Sequence, residues 1–211
     1  MSLVQQISEV VQKGRVSEVE KLVKEALEAE LKPENILNDG LLKGMMEVGD
    51  RWKRNEAFVP EVLIAARAMN GGMKILENAL AANKIKPKGT VIIGTVKGDL
   101  HDIGKNLVAM MMKGAGYQVI DLGVDIPAEK FVEEAEKNQA DVVCMSALLT
   151  TTMPYIKTVV EEFKKQGLRE KYTIMAGGAP VTAEYVQEVG GDHYTKDAVE
   201  AAERLAEIIP A

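Results

Sequence analysis

The apolar residues of this chain change period once, and that change limits how it can fold. Up to about residue 85 they recur every three to four positions. Beyond that point they gather in short β-branched runs separated by helical stretches. One segment cannot serve both periods, so two domains are predicted, 1–85 helical and 86–211 α/β. The polar, proline-bearing "NKIKPKG" at 83–89 is predicted as the linker and hinge between them.

In the first half, residues 3–13 set Leu3, Ile7, Val10 and Val11 on one helical face. Residues 16–30 repeat this with Val19, Leu22, Val23, Ala26 and Leu27, behind Ser17 as the expected N-cap. Pro33 opens a third helix, where a missing N–H costs nothing. Its stripe runs Leu37, Leu41, Met45, Trp52, with Gly40, Gly44 and Gly49 on neighbouring positions. Each such glycine costs about 1 kcal/mol of helix propensity relative to alanine, so close helix packing is expected to compensate. A fourth helix covers 58–82, with a kink expected at Gly71-Gly72. Four amphipathic helices on short connections predict a four-helix bundle. Met45, Met46 and Met69 are expected in its core.

In the second half, "TVIIGTV" (90–96), "YQVIDLG" (117–123), "DVVCMSA" (141–147) and "YTIMAGG" (172–178) read as buried parallel strands, with a short fifth at 192–195. Helical stretches at 103–114, 127–138, 152–167, 180–189 and 197–208 alternate with them. The expectation is a doubly wound (Rossmann/flavodoxin-like) parallel sheet.

Ligands of such sheets bind beyond the carboxyl ends of the strands. The loop after the first strand lies in "GTVKGDLHDIGKNLV" (94–108) and sets one of only two histidines between two aspartates. The later loops are "SALLTTTMP" and "GGAP", small and hydroxylated, so backbone can approach a large ligand closely. Glycines at 94, 98 and 104 do not form G-x-G-x-x-G, and no Walker lysine–serine pair follows. Zinc needs three or four ligands, whereas His101, His193 and Cys144 are scattered. Cys144 sits in an apolar strand as a core thiol, and His193 has no motif behind it. A formal net charge of −6 argues against nucleic acid and anionic membrane surfaces as partners. No apolar run approaches the ~20 residues of a membrane span. With a single cysteine and no secretory signal at the start, the expected location is the cytoplasm.

Asp99-x-His101-x-x-Gly104 resembles the D-x-H-x-x-G signature of proteins that bind cobalamin with its lower base displaced. "SALLTT" resembles that family's S-x-L-x-T, and "GG" at 177–178 matches its glycine pair. "FVPEVLIAARAM" (58–69) looks like its cap-helix motif, and "GLLKGMMEVGDRW" like the helix before it. The resemblance covers nearly the whole chain. It is closest to the corrinoid proteins of methanol, methylamine and glycine-betaine methyl transfer, relatives of the cobalamin-binding module of methionine synthase.

The resemblance implies a methyl carrier with cobalamin bound base-off/His-on, alternating between methyl-cobalamin and Co(I) forms, and no catalytic residues of its own. His101 would ligate the cobalt and Asp99 would bond the other imidazole nitrogen, with Asp102, Ile103 and Gly104 beside them. Ser146, Leu148, Thr150, Gly177 and Gly178 would contact the displaced nucleotide tail, and Thr152 stands where some members have a serine near the aspartate–histidine pair. Ser146, Thr150 and Thr152 also suit turn and N-cap roles. Phe58 and Val62 would approach the upper corrin face, Phe58 being equally suited to the bundle core. The implied partners are a substrate-specific methyltransferase, a corrinoid-to-acceptor methyltransferase and a reductive activase. A cobalamin-dependent sensor and a mutase subunit are the alternatives. A sensor of this kind normally carries a DNA-binding segment, and a mutase module docks on a barrel domain.

Overall fold

The computed structural model describes residues 1–82 and 86–210. Of the expected linker, 83–85 lie outside the described residues. The chain divides into two compact units, 1–87 with 114–116 and 88–113 with 117–211.

In the helical unit, α1 (Leu3–Gln12) starts at a capping box: Ser2 Oγ accepts from the Gln5 N–H, and Gln5 Oε1 accepts from the Ser2 N–H at 3.0 Å. Helix α2 (Val16–Glu28) begins where the expected stretch 16–30 does, and not behind Ser17. Ser17 therefore lies inside its first turn, and Arg15 occupies the cap position without a side-chain capping bond. Gly14, at φ +68°, reverses the chain tightly enough to start α2 at once.

The third helix departs from regularity. It opens at Pro33 as α3 (Pro33–Asn35), passes through a π-helical stretch Ile36–Leu42, and continues as α4 (Lys43–Lys53). Bonds from i to i+5 widen each turn and shift the phase of the stripe. Ile36, Gly40, Leu41 and Leu42 are buried in that stretch, while the expected Leu37 is only half-buried. Met45 and Met69 are core residues. Met46 is 61% exposed, against expectation, because it follows buried Met45 by a single position and so falls on another side of the helix. Helix α5 (Val59–Ala82) continues unbroken through Gly71-Gly72.

The bundle's glycines are used for contact. Helix α1 packs on α2 and α4, and α5 packs on the same two. A Cβ at Gly72 would stand 2.7 Å from Leu41 Cδ2, one at Gly40 3.0 Å from Ile7 Cγ2, and one at Gly44 2.8 Å from both Ser8 O and Val11 Cβ. Gly44→Ala should therefore lower stability, by about 1–2 kcal/mol, although propensity alone would favour it by about 1 kcal/mol. The Ser8 carbonyl is backbone and cannot rotate away. Thermal unfolding of the full chain checks this, and a raised midpoint would show that α1 yields freely.

The α/β unit holds β1 (Thr90–Thr95), β2 (Gln118–Asp121), β3 (Val142–Ser146), β4 (Thr173–Gly177) and β5 (His193–Tyr194). All pair in parallel in the order β2-β1-β3-β4-β5. Between them run α6 (Ile103–Gly114), α7 (Ala128–Lys137), α8 (Tyr155–Lys165) and α9 (Ala183–Glu188), and α10 (Ala198–Ile208) follows β5. Strands β1, β3 and β4 are buried at nearly every position; β2 lies at an edge and is partly exposed, so the expectation of continuous burial fails there.

Phe131, Ile156, Phe163 and Ile174 belong to one buried cluster, each burial stabilising by about 1.5–3 kcal/mol. Phe163 meets Tyr172 edge-on at 5.5 Å between ring centroids. Cys144 is buried within β3, and burial pushes its thiol pKa up to about 12, which leaves it inert. Among the described residues, no helix is long and apolar enough to cross a membrane.

The register fixes the site's floor. Thr95 pairs with Ser146, and Ser146 with Gly177, so the last residues of the three central strands form one row. The strand order reverses between β1 and β3, the place where ligands of such sheets bind.

Candidate functional site

The loop leaving β1 is held mainly by its own aspartate. Asp99 is 0% exposed although it is charged and lies in a loop. Its Oδ1 accepts from the His101 N–H at 3.0 Å and from the His101 ring at Nδ1 at 2.7 Å. Its Oδ2 accepts from the Leu148 N–H at 2.7 Å and from the Thr152 hydroxyl at 2.7 Å. Burial alone would raise this carboxyl's pKa; the bonds from Thr152, Leu148 and His101 together outweigh it and hold the carboxyl well below the usual carboxylate range.

An ionised carboxylate only accepts, so the proton of the His101 ring sits on Nδ1 and leaves the lone pair on Nε2. Nε2 makes no hydrogen bond among the described residues, and the ring is 51% exposed.

The other expected site residues fall into four groups. Asp102, Ile103 and Gly104 follow His101 into the first turn of α6 and are exposed; Asp102 accepts from Asn106 Nδ2 at 3.1 Å. A Cβ on Gly104 would meet nothing within 4 Å, so the space above it is open. After β3, Ser146 is half-buried and Leu148 and Thr150 are exposed, while Thr152 is buried against Asp99. Thr152 is not the N-cap of α8, a position taken by Pro154.

After β4, Gly178 has φ +136°, and a Cβ there would overlap the Ala147 carbonyl oxygen outright and stand 2.8 Å from its carbon. A Cβ on Gly177 would lie 2.8 Å from Thr195 O. Phe58 and Val62 belong to the helical unit. Phe58 is 63% exposed and so is not bundle core, whereas Val62 is buried. His193 is half-buried in β5.

Sequence reasoning missed three contributors. Thr95, fully buried, donates from Oγ1 to the His101 carbonyl at 2.9 Å. Lys105, buried at the start of α6, donates to Asp121 Oδ1 at 2.6 Å. Asp125, in the loop after β2, accepts from the Gly98 N–H at 2.7 Å. The signal was available: the rule that loops after strands carry the site applies to β2 as well.

The geometry agrees with what the chain matches. Residues 89–205 fit the B12 binding domain family, and residues 3–77 fit a second family of the same description. The chain belongs to the B12-binding corrinoid proteins. It is 42% identical over 185 residues to dimethylamine corrinoid protein 3 of Methanosarcina acetivorans, covering 88% of this chain and 87% of that one. A corrinoid protein of Desulfitobacterium hafniense is 40% identical over 211 residues, covering 97% and 98%. Among solved structures, the methanol:cobalamin methyltransferase complex MtaBC from Methanosarcina barkeri superposes with a TM-score of 0.90 at 31% identity, covering 99% of this chain and 80% of that one.

A corrinoid fits the residues of this corrinoid protein on structural grounds. Exposed Leu100, Ile103, Leu148 and Leu149 stand near the half-exposed ring in sequence and fold, and would meet a macrocycle's hydrocarbon edge. Gly104 leaves open space beside the His101 loop, and Gly178 lets the loops after β3 and β4 close to backbone contact.

Proposed function

We propose that this chain carries a methyl group on the cobalt of a corrinoid bound base-off/His-on. It would take the group from a substrate-specific methyltransferase and yield it to a second methyltransferase serving a thiol or tetrahydrofolate. One observation carries the reading. At the switch point of the sheet, His101 offers a single free ring nitrogen while buried Asp99 fixes the other. Among the described residues, no group of three or more His, Cys, Asp and Glu side chains could hold a metal ion. A corrinoid brings the other ligands of its metal with it, which suits a lone histidine.

A corrinoid bound there would supply the cobalt chemistry of accepting and releasing a methyl group. The protein's part is positional and protonic. Asp99 keeps the proton on Nδ1 and so keeps the Nε2 lone pair directed outward; Thr152 in turn fixes Asp99. The Asp99 carboxylate would hold the ring through Nδ1 whether or not Nε2 is ligated. Asp102, Ile103 and Gly104 would flank the lower face. Ser146, Leu148, Thr150, Gly177 and Gly178 would line the nucleotide tail. The helical unit would cover the upper face; of its two expected contacts we retain Phe58, whose exposure such a role needs, and not buried Val62.

The similarity to dimethylamine corrinoid proteins and to a methanol:cobalamin methyltransferase complex supports partner methyltransferases. A reductive activase and a cytoplasmic setting belong to the same reading.

The test is the visible spectrum of the full chain reconstituted with Co(III) corrinoid, wild type against His101→Ala. The variant should keep its far-UV circular dichroism and lose the His-on spectrum. An unchanged spectrum would overturn axial ligation by His101. Failure of the wild type to bind any corrinoid would overturn the function.

A further inference from the structure

The loop after β2 touches the His101 loop at more points than its sequence announces. Leu122 N donates to Ile93 O at 2.8 Å, Thr95 N to Gly123 O at 3.0 Å, and Ile126 N to Thr95 O at 3.0 Å. Past the end of β1 the contacts become specific to one side chain. Asp125 Oδ1 accepts from the Gly98 N–H at 2.7 Å, and the Asp125 N–H donates to the Asp99 carbonyl at 3.0 Å. One residue thus clamps both the donor just before Asp99 and the carbonyl of Asp99 itself.

Asp125 does so at φ +58°, in the left-handed region that side chains other than Asn and Asp rarely adopt. Glycine would meet that backbone demand at less conformational cost, but it would bring no acceptor. The same loop is anchored at its start: Gly123 N donates to Asp121 Oδ1 at 2.9 Å, and Asp121 is held by the buried Lys105, which belongs to the helix that follows His101. The strand–loop–helix bearing His101 is therefore tied to the β2 loop both before and after the histidine.

We propose that Asp125 is a positioning residue for the lower axial ligand, holding the turn at 96–101 so that Asp99 and His101 are set before any corrinoid arrives. Gly98, at φ +83°, gives that turn its freedom, and Asp125 removes it. The proposal rests on the reading that His101 ligates cobalt.

Two substitutions in the full chain separate the acceptor from the backbone shape. Asp125→Gly keeps the left-handed conformation and deletes the acceptor, while Asp125→Asn keeps both and loses only the charge. The first readout, in the cofactor-free protein, is amide hydrogen exchange at Gly98 against amides of β4 as the global reference. The second is the nitrogen superhyperfine coupling in the electron paramagnetic resonance of the Co(II) corrinoid-loaded protein.

Asp125→Gly should speed Gly98 exchange by about 10- to 100-fold, the effect of one lost charge-assisted hydrogen bond, and should reduce the nitrogen-coupled fraction. Asp125→Asn should retain most of both. Wild-type exchange at Gly98 in Asp125→Gly would overturn the proposal, as would full nitrogen coupling despite faster exchange, or an Asn variant no better than Gly. Absence of nitrogen coupling in the wild type would instead overturn the cobalt ligation reading. Exchange at Gly98 would then decide by itself whether Asp125 holds the turn.

Discussion

Gly178→Ala is expected to destabilise the α/β unit by about 3 kcal/mol or more and to weaken corrinoid binding with it. Two costs add at this position. At φ +136° an L side chain is strained wherever it points. The new Cβ would also overlap the Ala147 carbonyl, which is backbone and cannot swing aside. Relief requires the loops after β3 and β4 to part, and parting them breaks the bond from Ala147 N to Gly177 O at 3.2 Å. Those loops are the proposed walls of the nucleotide tail, so stability and binding should fall together. Urea denaturation followed by circular dichroism, alongside a corrinoid titration, checks both. A wild-type midpoint with wild-type affinity would show that the loops separate freely.

Asp99→Asn should weaken corrinoid binding by about 10- to 100-fold and favour the His-off form. Both carboxylate oxygens of Asp99 face donors only: His101 N and Nδ1 on one side, Leu148 N and Thr152 Oγ1 on the other. An amide in the same shape must turn its NH₂ toward one of those pairs. If it turns toward His101, the ring can adapt only by moving its proton to Nε2, which removes the lone pair proposed to ligate the metal. If it turns toward Leu148, its NH₂ opposes the buried Leu148 N–H at about 1–3 kcal/mol, and Thr152 must turn its proton to the Leu149 carbonyl and accept instead.

The charge has a pH signature as well. The folded state keeps Asp99 ionised well below the usual carboxylate range, while an unfolded Asp takes up its proton near about pH 3.9. The unfolded state therefore binds more protons as acid is added, and the stability that Asp99 contributes is complete above that value and lost as pH falls through the folded pKa. The stability gap between wild type and Asp99→Asn should be widest near neutrality and narrow below roughly pH 4. Denaturation midpoints measured from about pH 7 to pH 3 test this. A gap that stays constant into acid would show that the negative charge contributes nothing.

Much of the architecture was legible along the chain because it rests on local periods. The strands at 90–96, 117–123, 141–147 and 172–178 emerged within a residue or two as β1 to β4, and the alternating helices within three. The D-x-H-x-x-G spacing identified His101 and Asp99 as a pair, since two residues apart in one loop is within reach of an Asx-type bond. The π-helical stretch at Ile36–Leu42 was not legible, because no residue spacing marks a single widened turn; the exposure of Met46 was, since it adjoins buried Met45 and one helical face cannot hold both.

What the sequence determined by itself was the two-period division, the α/β alternation and the pairing of His101 with Asp99 in the loop after β1. What only the tertiary structure decided was how that histidine is held. Thr152 lies 53 residues from Asp99 and Leu148 lies 49, yet both bond its carboxylate. Thr95 reaches the His101 carbonyl, and Asp125 closes on Gly98 from 27 residues away. These contacts depend on β1 lying between β2 and β3 and on the register that aligns Thr95, Ser146 and Gly177. Strand order and register are non-local: they are settled by which buried faces pack together, and no spacing within one segment encodes them.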